Sequence, residues 1–104
     1  MKILVIIPVY NEEENLSKTL NSFINQSYPI YQITIVNDGS SDSSSQIIKE
    51  LSKKNKSINY VSKKDSKSYA KPGKKIIKAF NYGLKRSIKD YDLIGKFDGD
   101  IILP

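Results

Sequence analysis

A continuous apolar run near the start of the chain limits the fold more than any other feature. Residues 3–7 read Ile-Leu-Val-Ile-Ile, without the polar alternation of a strand that keeps one face in water. Such a run is typical of a strand buried on both faces of a parallel sheet. We expect Pro8 to end this strand, because proline cannot donate to the hydrogen-bond ladder.

Helical periodicity follows the run. Asn11 is a candidate N-cap, and the three glutamates at 12–14 would then face the positive end of the first helix. Apolar residues recur at helical spacing between 16 and 24, so one face of this helix is expected to be buried. We expect the helix to close at residues 26–29, which read Gln-Ser-Tyr-Pro.

Strands and helices continue to alternate along the chain. Further apolar runs predict strands at 32–36, 58–61 and 93–97, the second of them nearer an edge and the last one buried. A second helix is expected after a Ser41 or Asp42 cap, and a third is expected to open at residues 72–73. The predicted buried stripe of the third helix is Ile76, Ile77, Phe80, Leu84 and Ile88. The order βαβαβαβ predicts an α/β fold with a mainly parallel sheet and right-handed crossovers.

Basic residues are concentrated in the middle of the chain. The net charge is +6, and residues 49–89 alone hold fourteen Lys and Arg against two acids. Residues 62–74 contain five lysines without apolar periodicity, so we predict a long loop that is mobile without ligand. A middle this basic could meet nucleic acid, anionic lipid or a diphosphate, although most of the lysines are expected to form a solvated face.

Two carboxylates follow the last predicted strand. Asp98 and Asp100 are separated by one glycine, so on an extended backbone they would project to the same side. Hard oxygen donors of this kind suit a divalent cation such as Mg²⁺ or Mn²⁺. In a parallel sheet the carboxyl ends of the strands border the ligand crevice, so Asp38 and residues 8–12 would lie at the same edge. There Asp38 could accept a hydrogen bond from a base N–H, and Tyr10 could stack on the base.

Composition and motif searches exclude several other functions. The chain has no histidine and no cysteine, which rules out a Ser-His-Asp triad and any thiolate or His-rich metal site within it. No Gly-x-Gly-x-x-Gly follows the first strand, which argues against a dinucleotide-binding domain. No P-loop motif is present either. A phosphatase with Asp98 as nucleophile is disfavoured, because its fold would place the Asp-x-Asp motif after the first strand, whereas here the motif follows the last predicted strand. The apolar run at 3–9 is too short to span a bilayer, and we expect a cytoplasmic protein.

Five motifs share one resemblance, in order along the chain. They read Ile-Ile-Pro-Val-Tyr-Asn-Glu at 6–12, Asn-Gln-Ser-Tyr-Pro at 25–29, Val-Asn-Asp-Gly-Ser-Ser-Asp at 36–42, Lys-Ala-Phe-Asn-Tyr-Gly-Leu at 78–84 and Phe-Asp-Gly-Asp at 97–100. Together they resemble the family 2 glycosyltransferases, which have the GT-A fold and use nucleotide-diphosphate sugars. The resemblance covers nearly the whole chain and implies the Rossmann-like, nucleotide-sugar-binding half of that fold.

The same resemblance implies roles for individual residues. The residues that would line the nucleoside pocket are Pro8, Tyr10, Glu12 and Asp38. Asp98 would face the ribose and base, and Asp100 would hold the Mn²⁺ or Mg²⁺ that bridges the diphosphate. Gly73 and Lys74 stand where the family places residues near the nucleotide and phosphates, although the lysine-rich loop before them is longer here.

The resemblance also implies what lies outside this sequence. The family's acceptor-binding half and its general base follow the Asp-x-Asp motif, whereas this sequence stops at Pro104. We therefore expect residues 1–104 to be a single donor-binding domain, truncated after that motif and unable to transfer a sugar alone. The whole enzyme would be inverting and metal-dependent, moving a sugar from a UDP- or GDP-linked donor to a glycan, lipid or other acceptor hydroxyl. Any membrane attachment is expected from the absent half, at the inner face of the membrane.

A basic module that binds nucleic acid or another polyanion is the alternative from a different class. It would use residues 63–89, with Tyr69 and Tyr82 interleaved among the lysines. Against it, the chain has a single arginine, the residue type that makes geometry-specific contacts to bases and phosphates. We therefore expect a nucleotide-sugar partner and no specific nucleic acid.

Overall fold

The computed structural model describes residues 1–63 and 72–104, with the backbone alone at 72–76. In these ranges four strands alternate with three helices, which confirms the predicted order. The strands are β1 Ile3–Val9, β2 Gln32–Asp38, β3 Ile58–Lys63 and β4 Leu93–Lys96, and the helices are α1 Leu16–Ile24, α2 Ser44–Lys54 and α3 Pro72–Lys85.

The strands form one parallel sheet in the order β3-β2-β1-β4, with helices on both faces. On one face, Val5 and Ile7 of β1 join a buried cluster with Leu16 and Phe23 of α1. On the other face, Ile6 of β1 belongs to a second cluster that packs under α3. β1 is therefore buried on both faces, as its uninterrupted apolar run predicts.

β1 continues through Pro8 to Val9, so the expectation that Pro8 ends the strand is wrong. The carbonyl of Ile6 accepts a hydrogen bond from the N–H of Phe97, so even-numbered positions of β1 direct their backbone groups toward β4. The pairing with β4 stops where Ile6 lies opposite Lys96. Pro8 lies beyond that ladder on the same side, and its missing N–H therefore costs no ladder hydrogen bond.

α1 begins at Leu16, later than predicted, and Asn11 is not its N-cap. Asn11 has a φ of 52°, in the left-handed region that asparagine tolerates better than most residues. The carbonyl of Glu12 accepts from the N–H groups of Asn15 and Leu16, so the glutamates form a turn that precedes the helix. The predicted apolar face is confirmed, and its buried members include Leu16, Leu20 and Phe23.

α3 begins at Pro72 as predicted, but it turns a different face to the sheet. Ile77 was expected to be buried and is 59% exposed, whereas Ala79 is 1% exposed. A Cβ on Gly83 would stand 2.4 Å from Cγ2 of Val36, so the helix backbone lies directly against β2. Small residues permit this close approach. Of the other predicted buried side chains, Phe80, Leu84 and Ile88 pack half-buried beside the contact and that of Ile76 lies outside the described residues.

β3 and β4 are the two edges of the described sheet. The edge position of the third strand is confirmed, but the expectation of a buried last strand is wrong, because Leu93 is 51% and Ile94 40% exposed. β3 extends to Lys63, so the first two residues of the predicted loop belong to a strand. Residues 64–71 of that loop lie outside the described residues, and its last three, 72–74, belong to α3. Within the described residues, the helices are too short and too polar to cross a membrane.

Candidate functional site

The parallel direction of the strands brings most of the predicted site residues to one edge of the sheet. β1 lies between β2 and β4 and runs parallel to both, so the three carboxyl ends meet at one edge. Asp38 is the last residue of β2, Tyr10 directly follows β1, and Asp98 lies just beyond β4. In open α/β sheets this edge is where ligands bind.

Residues 98–100 form a turn beyond β4 instead of the expected extended segment. The ring of Phe97, just before the turn, packs edge-on against Phe23 of α1 with the ring centroids 5.0 Å apart. Thr19 of α1 donates from its hydroxyl to the carbonyl oxygen of Gly99 over 3.1 Å, in the buried interior. α1 therefore holds the turn at two points and leaves both aspartate side chains exposed.

Glu12 lies against this turn. A Cβ on Gly99 would stand 3.1 Å from Cγ of Glu12, so the glycine leaves the space that the glutamate occupies. Burial raises the pKa of the Glu12 carboxyl above its ordinary value. The negative charges of Asp100, Asp42 and Asp98 raise this pKa further. Carboxylates from three loops therefore share one negative region, whose repulsion a bound cation would relieve.

Reciprocal hydrogen bonds tie the loop after β1 to the loop after β2. The side-chain oxygen of Asn11 accepts from the N–H of Ser41 at 2.8 Å and from the N–H of Asp42 at 3.3 Å. The N–H of Asn11 donates to the hydroxyl of Ser40 at 3.0 Å. Asn11, which is predicted to cap the first helix, therefore fixes the loop that leads into α2. The two loops predicted to bind the nucleoside are thereby fixed relative to each other.

A second set of hydrogen bonds joins the same loops closer to α2. Ser43 occupies the N-cap position of α2, so the expectation of a Ser41 or Asp42 cap is wrong. Asp42 nevertheless accepts from the N–H of Ser44, the first residue of the helix, at 2.9 Å. Asp42 also accepts from the N–H of Glu13 at 3.2 Å, and the hydroxyl of Ser44 accepts from the N–H of Glu12 at 3.0 Å. Burial would raise the pKa of the Asp42 carboxyl, but the hydrogen bonds donated to it by Ser44 and Glu13 lower this pKa below its ordinary value.

Asp38 is buried at the edge of the sheet and paired with a cation. Its side chain is only 5% exposed, and its Oδ1 lies 3.4 Å from Nζ of Lys63, whose side chain is 13% exposed. The two residues end β2 and β3 and stand directly opposite each other in the parallel register. Because a buried carboxylate is stable only with a compensating partner, the charge of Lys63 accounts for the burial of Asp38.

The remaining predicted residues occupy different environments. Pro8 is half-buried within β1, opposite Val36, and Tyr10 is 42% exposed. Lys74 lies in the first turn of α3, and its side chain is outside the described part of the chain. An open depression of about 340 Å³ is lined by residues 11–15 and Asp42. Of the predicted site residues with described side chains, only Glu12 borders that depression.

The donor set at the turn fits a divalent cation that is also held by its substrate. Among the described residues, no group of three or more His, Cys, Asp or Glu could hold a metal ion by itself. Mg²⁺, however, is usually bound through one or two carboxylates together with substrate phosphates. Asp98 and Asp100 provide exposed, hard oxygen donors of that kind.

Sequence analysis missed two residues that position this site. Thr19 is fully buried in the apolar face of α1, and a hydroxyl at a buried helical position is a signal that could have identified it. Lys63 gave no such signal, because its pairing with Asp38 depends on the register between two strands. The lysine-rich composition of residues 62–74 also predicts a loop at this position, whereas Lys63 ends β3.

Comparisons with known proteins agree on one family. The family model described as glycosyl transferase family 2 matches residues 4–104. A dolichyl N-acetyl-α-D-glucosaminyl phosphate 3-β-D-2,3-diacetamido-2,3-dideoxy-β-D-glucuronosyltransferase of Methanococcus voltae is 37% identical over 88% of this chain and 27% of its own length. The poly-β-1,6-N-acetyl-D-glucosamine synthase of Staphylococcus epidermidis is 33% identical over 97% of this chain and 22% of its own length. The chain thus spans about a quarter of these curated relatives.

Solved structures give the same fold. Residues 1–349 of S. aureus TarS in complex with UDP-GlcNAc superpose with a TM-score of 0.71 and 29% identity, over 96% of this chain and 27% of that one. The mannosyltransferase PcManGT of Pyrobaculum calidifontis, solved with GDP-Man and Mn²⁺, superposes with a TM-score of 0.75 over 99% of this chain and 28% of that one. Its identity is 19%, so this second similarity concerns the fold alone.

Proposed function

The chain belongs to glycosyl transferase family 2, and on that premise we propose that it forms the donor-binding part of an enzyme that transfers a sugar from a nucleotide-diphosphate sugar. The observation that carries this proposal is the turn at residues 98–100. Its two carboxylates are exposed at the carboxyl edge of the sheet, and α1 holds their backbone through Thr19 and Phe23. A pair of hard ligands on an anchored turn at this edge suits a diphosphate with its cation.

We propose UDP as the nucleotide. TarS, which is 28–29% identical to this chain, was solved with UDP and with UDP-GlcNAc. Asp38 would accept the N–H of the uracil ring, and the exposed ring of Tyr10 would stack on the base. Pro8 and Glu12 would complete the nucleoside side of the site, with Lys74 near the phosphates.

Asp100 would hold a divalent cation, with Asp98 beside it facing the ribose. When bound, Mn²⁺ or Mg²⁺ neutralises the charge that develops on the departing diphosphate. The described residues already concentrate negative charge here, because Asp98 and Asp100 both raise the pKa of Glu12. A cation at Asp100 would therefore offset a repulsion that the apo chain contains.

The transfer itself is proposed for a whole protein of this family. In an inverting reaction a general base takes the proton of the acceptor hydroxyl, whose oxygen attacks the anomeric carbon while the nucleoside diphosphate leaves. Residues 1–104 would bind and orient the donor, and the base and acceptor site would come from elsewhere in the protein. A glycan or lipid acceptor, and action at the cytoplasmic face of the membrane, belong to the same proposal.

Calorimetric titration of the chain with UDP, GDP and ADP, each with and without Mn²⁺, tests this function. We expect UDP to bind, with an affinity that rises when Mn²⁺ is present, and ADP to bind more weakly. A folded sample that gives no heat with any nucleoside diphosphate would contradict the proposal. Binding that is equal for all polyanions and disappears with added salt would instead support the basic polyanion-binding module.

A further inference from the structure

We propose that Lys63 is a positioning residue that makes Asp38 a selective acceptor for a nucleobase N–H. The inference rests on the proposed function, because it assumes that a uracil nucleotide occupies the edge of the sheet. It assigns a role to a lysine that neither the family resemblance nor the motifs single out.

The geometry of the pair comes from the sheet itself. Asp38 and Lys63 are register partners at the ends of two parallel strands, so their side chains leave the sheet on the same face. Their charged atoms lie 3.4 Å apart, and both side chains are largely shielded from water. An ion pair in such a place is little screened by solvent and holds the carboxylate in one orientation.

Neighbouring polar groups are engaged elsewhere. The side-chain amide of Asn37, next to Asp38 in sequence, donates to the hydroxyl of Tyr60 at 3.3 Å and accepts from the N–H of Ser40 at 3.2 Å. The hydroxyl of Tyr60 in turn lies 3.1 Å from that of Ser45. Because these groups satisfy one another, the amide of Asn37 is committed to fixing the loop, and Lys63 supplies the charge that Asp38 needs.

The acceptor chemistry of Asp38 decides what it can recognise. A carboxylate accepts hydrogen bonds, and its two oxygens offer about four acceptor positions, more than one ammonium occupies. It therefore favours a base edge with an N–H, such as N3–H of uracil. The ion pair with Lys63 fixes the direction of the acceptor positions that remain, and selection depends on that direction.

The test compares UDP with N3-methyl-UDP, which keeps every other group but has no N3–H. Calorimetric affinities for both ligands would be measured for the unmodified chain, Lys63→Met, Asp38→Asn, and the double variant Asp38→Asn/Lys63→Met. Lys63→Arg, which keeps the charge, is the matched control. Lys63→Gln keeps a donor without charge and serves if the methionine variant does not fold.

We expect Lys63→Met to weaken UDP binding by about tenfold or more, the effect of losing a hydrogen bond to a charged acceptor. Binding of N3-methyl-UDP should not change, and in the Asp38→Asn background the loss of Lys63 should have no further effect. Lys63→Arg should keep most of the preference for UDP, and Lys63→Gln should lose it.

Two results would overturn the inference while leaving donor binding intact. One is an unmodified chain that binds UDP and N3-methyl-UDP equally, since no N–H would then be read. The other is a Lys63→Met variant that weakens both ligands by the same factor, which would make the ion pair merely structural. An unmodified chain that does not bind UDP at all would remove the proposed function and this inference together.

Discussion

Glu12 is the side chain on which the repulsion between the carboxylates of the site acts most clearly. Its pKa is raised first by burial and then by Asp100, Asp42 and Asp98. A carboxyl whose pKa is raised in the folded state favours folding below its ordinary pKa, and this contribution is lost as the pH rises through the raised value. At neutral pH the ionised Glu12 therefore lowers the stability of the folded chain, and a neutral side chain of the same shape would not do so.

We accordingly expect Glu12→Gln to unfold at a higher temperature than the unmodified chain at pH 7. The difference should shrink as the pH falls below about 4.5, the ordinary value for a glutamate. Thermal unfolding followed by circular dichroism across pH 3–8 measures both effects. Glu14→Gln, at an exposed position two residues further on, is the control and should change little. A Glu12→Gln variant that is less stable than the unmodified chain at pH 7 would show that the carboxylate is favourably held.

At the scale of single elements, the contact of α3 with the sheet is the least forgiving. The Cβ of an alanine at 83 would stand 2.4 Å from Cγ2 of Val36, 3.3 Å from that of Ile6 and 3.4 Å from that of Thr34. All three neighbours are β-branched side chains on central strands, so none can swing away. The steric cost should exceed the roughly 1 kcal/mol that alanine gains over glycine in a helix.

Gly83→Ala should therefore destabilise the chain by about 1–3 kcal/mol, typical of overpacking a well-packed core. Urea unfolding at constant pH measures this free energy. Asn81→Ala, on the exposed face of the same helix, is the matched control and should be neutral or slightly stabilising. If the two variants were equally stable, α3 would not lie as close to β2 as the structure has it.

The same contact explains which parts of the elements could be read from the sequence. The core strands and the apolar face of α1 follow from periodicity, because burial of their side chains is what the pattern records. The buried face of α3 does not follow from periodicity. Ala79 and Gly83 lie against the sheet because they are small, and Ile77 is exposed to solvent. Periodicity identifies large apolar residues, and it gives no sign of where two backbones approach closely.

At the scale of the whole molecule, the parallel topology made the location of the site predictable. Carboxyl ends of parallel strands share an edge in any strand order, so the expected edge did not depend on knowing the order. That β1 lies between β2 and β4, and so brings their ends close together, came only from the structure. Individual side-chain contacts, in contrast, could not be predicted without the three-dimensional structure. The pairing of Asp38 with Lys63 and the hold of Thr19 on Gly99 join segments far apart in sequence, and no local pattern encodes them.

We propose that residues 98–100 bind a cation that holds a nucleoside diphosphate. UDP titrations of Asp100→Asn, with and without Mn²⁺, test it most directly, with Asp90→Asn as control because that carboxylate is 92% exposed at the opposite end of β4. Asp100→Asn removes one hard anionic ligand. We expect it to abolish most of the gain in UDP affinity that Mn²⁺ gives the unmodified chain. The metal-free affinity and the fold should be unchanged. Asp90→Asn should keep the full gain. Equal losses with and without Mn²⁺, or an undiminished response to the metal, would contradict the assignment of Asp100 as its ligand.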